Sequence, residues 1–235
     1  LEDGEHYPAD LIVANADATY LYQRMVDQKD VAVSTKIKLK VAHYSMGLFV
    51  VYFGATRQYP KVAHHTIWLG KTYQSLLENI FDKKILSEDF SLYLHRPTAT
   101  DPSFAPAGCD SFYVLCPVPN LQGNIDWATE GERLKDRIID ALDKTILPEL
   151  KKYITDDFFM TPKDFKQDYL STHGAGFSIA PLFRQSAWFR FHNKAEGIKH
   201  LYLTGAGTHP GAGLPGVLCS AKVLDKLIPA EVDFK

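Results

Sequence analysis

The chain has 235 residues, which is enough for one large domain or two small ones. Hydrophobic residues make up 46% of it and charged residues 23%, and 26 basic against 28 acidic side chains give a net charge of -2, so the composition provides no argument for nucleic-acid binding. No apolar run approaches the roughly 18 residues that span a bilayer, and the three cysteines form no C-x-x-C pair, which favours a reducing, cytoplasmic compartment.

The first part of the chain is predicted to contain three strands and one helix. Residues 10–14 (DLIVA) are a short apolar run typical of a buried strand, and Asn15 or Asp17 is placed to cap the helix that follows. Between residues 36 and 41, lysines alternate with apolar side chains, which predicts a strand with one solvated face. GLFVVYFGA, residues 47–55, is almost entirely apolar and predicts a fully buried strand.

The rest of the chain alternates between helices and strands. A helix is predicted for residues 71–83 and a longer one for residues 130–152, where apolar side chains recur at helical spacing and Pro148 is expected to kink the last turns. FSLYLHRP and SFYVLCPVP predict two strands between these helices. HLYLTG followed by GVLCSAKVLDKLI predicts a final strand and a final helix.

Residues 200–217, HLYLTGAGTHPGAGLPGV, place five glycines between the last strand and the last helix. This layout lets backbone N–H groups and a helix N-terminus face an anion or an electron-rich ring, and Pro215 suits the start of the helix. The literal G-x-G-x-x-G beginning at Gly211 is not expected to cradle a pyrophosphate, because only 19 residues follow Gly216 and such a cradle needs a second parallel strand with an acidic residue. A tight turn with a purely structural role stays open as the alternative.

LYLTGAGTHPGAGLPGVLCSAK closely resembles the C-terminal flavin motif of the bacterial- and fungal-type phytoene desaturases, carotenoid-forming enzymes of the FAD-dependent amine-oxidase-like superfamily. LFVVYFG, AHHTIWLG, EDFSLYLHRPTATDPSFAPAGCDSFYVLCPVPN, DWATEGERLKDRI and QSAWFRFHN resemble that family in its order, and VANAD resembles the strand that returns to the flavin domain. The resemblance covers essentially the whole chain. It implies the C-terminal portion of such an enzyme, with the N-terminal half, which holds the pyrophosphate motif, as its partner.

The resemblance implies an α/β fold: a mixed-sheet substrate-binding domain with packed helices, plus the C-terminal strand-turn-helix of an FAD-binding Rossmann-like domain. Residues 1–30 would return to the flavin domain, residues 31–190 would bind the polyene, and residues 191–235 would complete the flavin domain. FAD is the implied cofactor, and free N–H groups at Gly216 and Val217 with the helix dipole would stabilise its reduced ring. The implied cofactor-binding residues are Gly205, Ala206, Gly207, Thr208, His209, Gly213, Leu214, Pro215, Gly216 and Val217.

The motif departs from the wider superfamily at one point. Many members have an acidic residue after the first glycine to hold the ribityl chain, whereas Ala206 and Gly207 stand in its place here. Backbone contacts must then replace that carboxylate. His209 is either a flavin or substrate contact, or a histidine with a structural role in the turn.

The implied reaction is FAD-dependent desaturation of phytoene towards lycopene, by hydride transfer from an allylic carbon to the flavin. The substrate has no polar handle, so its binding must come from apolar burial. Phe177, Trp188 and Arg190 are candidate substrate contacts, with core packing, or for Arg190 a carboxylate pair, as the alternative. No catalytic residue can be named. Two other functions stay open: a non-catalytic lipid-binding module, and a flavin desaturase for another polyene such as a diapo-carotenoid.

No metal is expected at His64 and His65, because neighbouring residues on a strand point to opposite faces and no Cys or acidic residue accompanies them at ligand spacing. Peripheral association with a membrane surface is expected, because the polyene lies in the bilayer. Lys36, Lys38 and Lys40 either contact anionic headgroups there or form a solvated strand face. The isolated chain is expected to bind FAD weakly and to be inactive.

Overall fold

A computed structural model of the chain describes residues 4–228, so the outermost parts of the predicted segments 1–30 and 191–235 lie outside the described residues. The strands in this range are β1 (Ile12–Ala14), β2 (Gly47–Ala55), β3 (His65–Trp68), β4 (Leu92–His95), β5 (Asp110–Val118), β6 (Ile154–Met160) and β7 (Leu201–Leu203). The α-helices are α1 (Ala18–Tyr20), α2 (Val33–Val41), α3 (Tyr73–Glu78), α4 (Trp127–Lys144), α5 (Leu150–Tyr153), α6 (Pro162–Asp168) and α7 (Leu214–Leu227). Single π-helical segments follow α1 at Leu21–Met25 and α3 at Asn79–Lys83.

The described chain divides into two compact units. The central unit contains residues 46–168 and 173–176, and the terminal unit contains residues 4–45, 169–172 and 177–228. The predicted α/β class is confirmed: the central unit holds an antiparallel sheet with the strand order β3-β4-β5-β2-β6, and the terminal unit holds the parallel pair β1-β7, with helices in both. The functional segments 1–30, 31–190 and 191–235 stay a prediction.

The core of the central unit lies between one face of its sheet and helix α4. Alternate residues of β2, including Phe49, Val51 and Phe53, belong to this core and are almost completely buried. Leu134 and Ile138 of α4 join the same cluster at the i, i+4 spacing of an amphipathic helix. Each such side chain contributes roughly 1.5–3 kcal/mol when it leaves water, so a slip of one residue in the sheet register would be strongly disfavoured.

Helix α4 ends earlier than predicted and Pro148 does not kink it. Asp126 caps the N-terminus by accepting a hydrogen bond from the amide of Ala128 at 3.1 Å, and the helix ends at Lys144. A separate short helix, α5, begins at Leu150. Pro148 therefore lies between two helices, because proline has no amide hydrogen to donate and disfavours the helical conformation of the residue before it.

A buried ion pair joins β5 to the residue that follows β4. Nε and Nη2 of Arg96 lie 2.8 Å and 3.1 Å from the two carboxylate oxygens of Asp110, and both side chains are almost fully buried. Asp110 also accepts hydrogen bonds from the hydroxyl of Thr98 and the amide of Tyr59, both at 2.7 Å. These contacts compensate for the desolvation of the carboxylate, so removal of either charged partner would leave a buried charge unpaired.

The terminal unit is organised around β1 and β7, which pair in parallel from Ile12 opposite Leu201 to Ala14 opposite Leu203. The prediction of a buried first strand is wrong, because Ile12 is 54% and Val13 is 46% exposed. Pairing alone does not bury a strand: within residues 4–228 β1 pairs only with β7, whose three residues are all buried, whereas the faces of β1 at Ile12 and Val13 are left largely uncovered.

The strand predicted for residues 36–41 is also wrong, because these residues belong to helix α2. Oε2 of Glu196 accepts hydrogen bonds from the hydroxyls of Ser34 and Thr35 at 2.9 Å and 3.1 Å, and Oε1 lies 3.8 Å from Nζ of Lys38. Side chains separated by one turn reach a common carboxylate in a helix, whereas a strand would spread them over about 13 Å. Lysine and leucine are good helix formers, so their alternation did not oppose this outcome.

The predicted row of three lysines is absent, because Lys38 projects from a different face of α2 than Lys36 and Lys40. The helix instead has an exposed apolar row at positions i, i+4 and i+8, formed by Val33, Ile37 and Val41. Across residues 4–228, none of the helices combines the length and the apolar content needed to cross a bilayer.

Candidate functional site

The glycine turn, residues 204–213, connects β7 to the N-terminus of α7. Gly205 has a φ of +105°, and a Cβ at this position would lie 2.8 Å from Oδ1 of Asn15. Gly213, the N-cap of α7, has a φ of +94°. Such backbone conformations are readily available only to glycine, so these two positions require the residue that the sequence provides.

Two further glycines allow the turn to approach neighbouring backbone. A Cβ on Gly207 would lie 2.9 Å from Oγ of Ser178 and 3.1 Å from the amide nitrogen of Ala18. A Cβ on Gly216 would lie 2.6 Å from the carbonyl oxygen of Gly211. The turn is therefore folded back on the first residues of α7 and packed against the start of α1.

The side chain of Asn193 fixes the turn by hydrogen bonds, a role that was not predicted from the sequence. Its side chain is buried, and Nδ2 donates to the carbonyl of His209 at 2.9 Å and to that of Leu203 at 3.1 Å. The amide of Leu203 in turn donates to the carbonyl of Asn193 at 2.8 Å. One side chain thus joins the end of β7 to the middle of the turn at His209. The run of aromatic residues around Asn193 gave no signal of this contact.

Two buried hydroxyls complete the internal hydrogen bonding. Thr208 is fully buried, and its Oγ1 donates to the carbonyl of Gly205 at 3.0 Å. Oγ of Ser220, on α7, accepts a hydrogen bond from the amide of Gly205 at 2.9 Å and donates to the carbonyl of Val217. The turn and helix α7 are therefore one hydrogen-bonded element.

Arg190 is 2% exposed, and the hydrogen bonds of its guanidinium all run to main-chain carbonyls. Nε and Nη2 both donate to the carbonyl of Ala206, at 2.8 Å and 2.6 Å, and Nη2 also reaches the carbonyls of Phe177 and Ile179. Burial lowers the pKa of the guanidinium, while the nearby carboxylate of Asp17 opposes that shift. These contacts make Arg190 a positioning residue for the turn, and the predicted contact with a substrate stays a prediction that requires some of these donors to be released.

The N-terminus of α7 is open to solvent. Leu214 is 75% exposed, and a Cβ on Gly213 would meet nothing within 4 Å. Within the described residues no side chain caps this end, and the first-turn amides of Leu214 and Gly216 have no partner inside the helix. The amide of Val217 donates to the carbonyl of Gly213 at 2.9 Å, so the prediction that it is free is wrong.

The structure places all ten predicted cofactor-binding residues in the glycine turn or in the first turn of α7. Gly205, Gly207 and Thr208 are buried there, whereas Gly213 and Leu214 are exposed. His209 is half-buried, and its Nδ1 is buried with no hydrogen-bond partner among residues 4–228. A buried ring nitrogen without a partner next to an open helix N-terminus is an arrangement that a bound ligand would complete.

The two aromatic residues predicted to contact substrate both belong to the terminal unit but lie in different environments. Trp188 is 72% exposed, and its ring centroid lies 4.8 Å from that of His192. Phe177 is half-buried, and its amide donates to Oγ of Ser45 at 2.9 Å. Their substrate role stays a prediction.

A row of aromatic side chains that was not predicted from the sequence crosses the face of the central sheet opposite α4. The ring of Tyr52 stacks on that of Phe158, with centroids 4.6 Å apart, and lies 5.9 Å from that of Tyr113. Tyr113 in turn contacts Tyr93 and His95, at 5.8 Å and 4.6 Å. The strand sequences contained a sign of this row, because these tyrosines alternate with the core residues. The prediction that β2 is fully buried is therefore wrong at Tyr52, which is only partly buried.

A cavity of about 580 Å³ opens on this aromatic face, with Tyr52, His95 and Tyr113 among the residues that line it. Burial, with a smaller contribution from Tyr93, raises the pKa of Tyr113 to about 12. Tyr113 is therefore protonated at neutral pH and contributes an aromatic ring and a neutral hydroxyl to the wall.

Three histidines cluster beside the same cavity, which two of them, His64 and His95, line. His64 lies in a bend just before β3, so its ring falls on the same side as that of His65, with centroids 4.3 Å apart, and the prediction that the two point to opposite faces is wrong. His95, on β4, pairs with His65 in the sheet register, and its Nε2 lies 2.7 Å from Nε2 of His64. Burial lowers the pKa of His95, and the neighbouring His64 and His65 lower it further.

Comparison with curated proteins gives a consistent set of relatives. The chain is 46% identical over 223 residues to the lycopene-forming phytoene desaturase of Pantoea ananas. This match covers 94% of the chain and 45% of the Pantoea protein. It is 45% identical over 234 residues to the neurosporene-forming phytoene desaturase of Rhodobacter capsulatus, with 97% and 45% covered. The chain belongs among the homologues of the phytoene desaturases. A 4,4'-diapophytoene desaturase of Methylomonas sp. is 35% identical over 229 residues, with 97% and 45% covered.

The chain spans about half the length of the phytoene desaturases that it matches. The predicted resemblance to this family of oxidoreductases is confirmed. No family model matches the chain. Among solved structures, an oxidoreductase from Methanosarcina mazei has a TM-score of 0.59 at 14% identity, covering 95% of this chain and 44% of that protein, which shows a likeness of fold.

Proposed function

We propose that this chain is the C-terminal, polyene- and flavin-binding portion of an FAD-dependent enzyme that desaturates phytoene towards lycopene. The observation that carries the proposal is the 46% identity to a lycopene-forming phytoene desaturase along 94% of the chain. The N-terminal half of the same enzyme is the partner that would bind the pyrophosphate of FAD. The predicted weak FAD binding and inactivity of the isolated chain follow from that division.

The residues of the glycine turn fit a flavin ring. The exposed N-terminus of α7 presents the amides of Leu214 and Gly216 with a partial positive charge, which suits an electron-rich ring. Gly213 leaves open space where a side chain would stand, and Nδ1 of His209 is a buried polar atom in need of a partner. FAD, when bound, would supply the acceptor for the hydride from the allylic carbon, while the proton from the neighbouring carbon would leave to a base or to water. Ala206 and Gly207 supply no carboxylate to the ribityl chain, so main-chain groups would replace it.

The role of this chain's other residues around the turn would be to hold it rigid. The side chains of Arg190 and Asn193 donate to carbonyls of the turn, and this would fix the start of α7, whose own amides no side chain caps within the described residues. Preorganised dipoles of this kind stabilise charge without reorganisation during a reaction. No general base is assigned. Phe177, Trp188 and Arg190 remain the proposed substrate contacts in the terminal unit.

The aromatic face of the central unit is a further proposed binding surface for the polyene. Burial of apolar area contributes about 2.5 kcal/mol per 100 Å², and the cavity of about 580 Å³ beside Tyr52 and Tyr113 offers such area. A hydrocarbon chain makes no hydrogen bonds, so the flat rings of this surface suit it better than a polar groove would. This surface supports the assignment of residues 31–190 to substrate binding.

Peripheral association with a membrane from the cytoplasmic side is part of the proposal. It is supported by the lipid solubility of the substrate and by the exposed apolar row on α2, next to Lys36 and Lys40.

The test is turnover by the full-length protein reconstituted with FAD and supplied with phytoene in liposomes. The proposal expects flavin absorbance in the protein and products with additional conjugated double bonds, identified by chromatography. Tyr52→Ala should raise KM more than it lowers kcat, while Tyr73→Ala, an exposed tyrosine on α3, should change neither. Binding of lipid without turnover would favour the non-catalytic module instead.

A second substrate is favoured by one specific observation. The 35% identity to a 4,4'-diapophytoene desaturase makes a shorter diapo-carotenoid the alternative polyene. Supplying both polyenes in parallel decides between them, because the ratio of their kcat/KM values measures the preference directly.

A further inference from the structure

The edge of the central sheet brings three imidazoles together. His64, His65 and His95 each offer a ring nitrogen, and the three ligand atoms lie within 4.8 Å of one another. This is the one such group of His, Cys, Asp or Glu ligands found in residues 4–228. We propose that these histidines bind a single divalent transition-metal ion of the Zn²⁺ class, at a site distinct from the glycine turn.

The hydrogen bonds around the cluster orient two of the three ligands. Nδ1 of His65 lies 2.7 Å from the hydroxyl of Tyr93, and Nδ1 of His64 contacts the hydroxyl of Thr100. Both rings therefore keep Nε2 for a metal while Nδ1 is held by an outer partner. Metal-binding histidines are oriented in this way in most protein sites, where the second ring nitrogen has a hydrogen-bond partner.

The present geometry is close to that of a metal site. Nε2 of His64 and Nε2 of His95 are 2.7 Å apart, so one ring donates a proton to the other. A tetrahedral ion with Zn–N bonds of about 2.0–2.1 Å needs its ligand nitrogens about 3.3 Å apart. Side-chain rotations of His64 and His95 would have to widen the spacing to this value. The proton between the two Nε2 atoms would move to Nδ1 of the ring that carries it, so both imidazoles stay neutral and both Nε2 atoms are free for the ion. Nδ1 of His95 is buried with no partner within residues 4–228, so the third ligand is less firmly oriented than the other two.

The ligand set decides the class of metal. Three neutral imidazoles suit Zn²⁺, Ni²⁺ or Cu²⁺ and bind Mg²⁺ and Ca²⁺ poorly, since those ions prefer oxygen ligands. His64 and His95 line the cavity, so water or a small ligand in it could supply the fourth ligand. A bound ion would connect β3, and the bend before it, to β4. Because β3 is the edge strand of this sheet, the ion would fasten that edge.

The experiment uses the full-length protein prepared without a histidine tag and stripped with EDTA. Titration with Zn²⁺ should show one saturable ion per chain, and Co²⁺ should give the visible absorption bands of a tetrahedral site. His95→Asn should abolish both signals. Tyr93→Phe, which leaves all three imidazoles in place, should weaken Zn²⁺ binding about 10- to 100-fold.

His43→Asn is the matched control, because His43 is an exposed histidine outside the cluster. Its variant should bind Zn²⁺ as the unmodified protein does. Equal Zn²⁺ affinity in the unmodified protein and in His65→Asn would overturn the proposal, and so would the absence of saturable binding. His65 is exposed at the sheet edge, so this second variant should fold even if His95→Asn does not. Neither FAD nor polyene is present, so the outcome is independent of the proposed function.

Discussion

Replacing Asn193 with alanine should loosen the glycine turn without altering its open surface. Nδ2 of Asn193 donates to the carbonyls of His209 at 2.9 Å and Leu203 at 3.1 Å from a buried position. Alanine leaves both carbonyls without this donor, and an unsatisfied buried acceptor costs about 1–3 kcal/mol. Some relaxation is expected, so the turn should lose about 2–4 kcal/mol of local stability.

Hydrogen exchange measured by mass spectrometry on the full-length protein reports this loss directly, since it follows the opening of individual segments. A factor of ten corresponds to about 1.4 kcal/mol, so peptides covering the glycine turn should exchange roughly 30-fold to several hundred-fold faster. Asn79→Ala is the control, because Nδ2 of Asn79 makes one hydrogen bond of 3.2 Å to Oγ of Ser87 in the central unit. A change of less than threefold in the turn of the Asn193 variant would refute this account of how the turn is held.

Three further outcomes follow from the same contacts. Gly207→Ala should lower stability by about 1–3 kcal/mol through overpacking and should reduce the FAD content of the full-length protein. Gly54→Ala is the control and should be tolerated, because a Cβ there would lie 3.5 Å from its nearest neighbour. Equal melting temperatures for the two variants would contradict this expectation. Asp110→Ala should destabilise the protein by about 3–5 kcal/mol in urea, because Arg96 is left buried and unpaired, and an unchanged denaturation midpoint would be inconsistent with the buried pair. Burial raises the pKa of Glu196, but hydrogen bonds and nearby positive charge outweigh burial and hold this pKa below its usual value of 4.5. The ionised carboxylate therefore stabilises the fold above pH 4.5, and this stabilisation is lost as the pH falls through the lower pKa of the folded state. Glu196→Gln should therefore flatten the acid side of a plot of melting temperature against pH, and parallel curves would exclude this contribution.

Much of the fold was predictable because its elements have strong local patterns. The apolar spacing of α4 and the alternation in β5 depend on burial against one face, and sequence periodicity reports that burial. The errors lie where distant contacts decide. At residues 36–41 the alternation of lysine with apolar side chains was taken for a strand, although Val33, Ile37 and Val41 also recur at helical spacing. The bonds from Ser34 and Thr35 to Glu196, far along the chain, are contacts that no local pattern displays.

The candidate site was predictable to the same limited degree. Glycine spacing between a strand and a helix marked the turn, because positive φ values and close backbone approach need glycine. The residue that holds the turn, Asn193, was missed because its partners are main-chain carbonyls, which no sequence pattern displays. The histidine cluster was missed because His64 lies in a bend, and strand geometry was assumed for both neighbours.

The central claim is that the N-terminus of α7 contacts the flavin. Its most direct test is the FAD affinity of the full-length Leu214→Glu variant. An acidic side chain in the first turn of a helix favours the helix itself, and Leu214 is largely exposed, so the fold should not suffer. Ala221→Glu places the same charge on an exposed position about 10.5 Å further along the axis. Measured by flavin absorbance, FAD should bind at least tenfold more weakly to Leu214→Glu than to Ala221→Glu and the unmodified protein. Equal FAD affinity in all three proteins would contradict the claim.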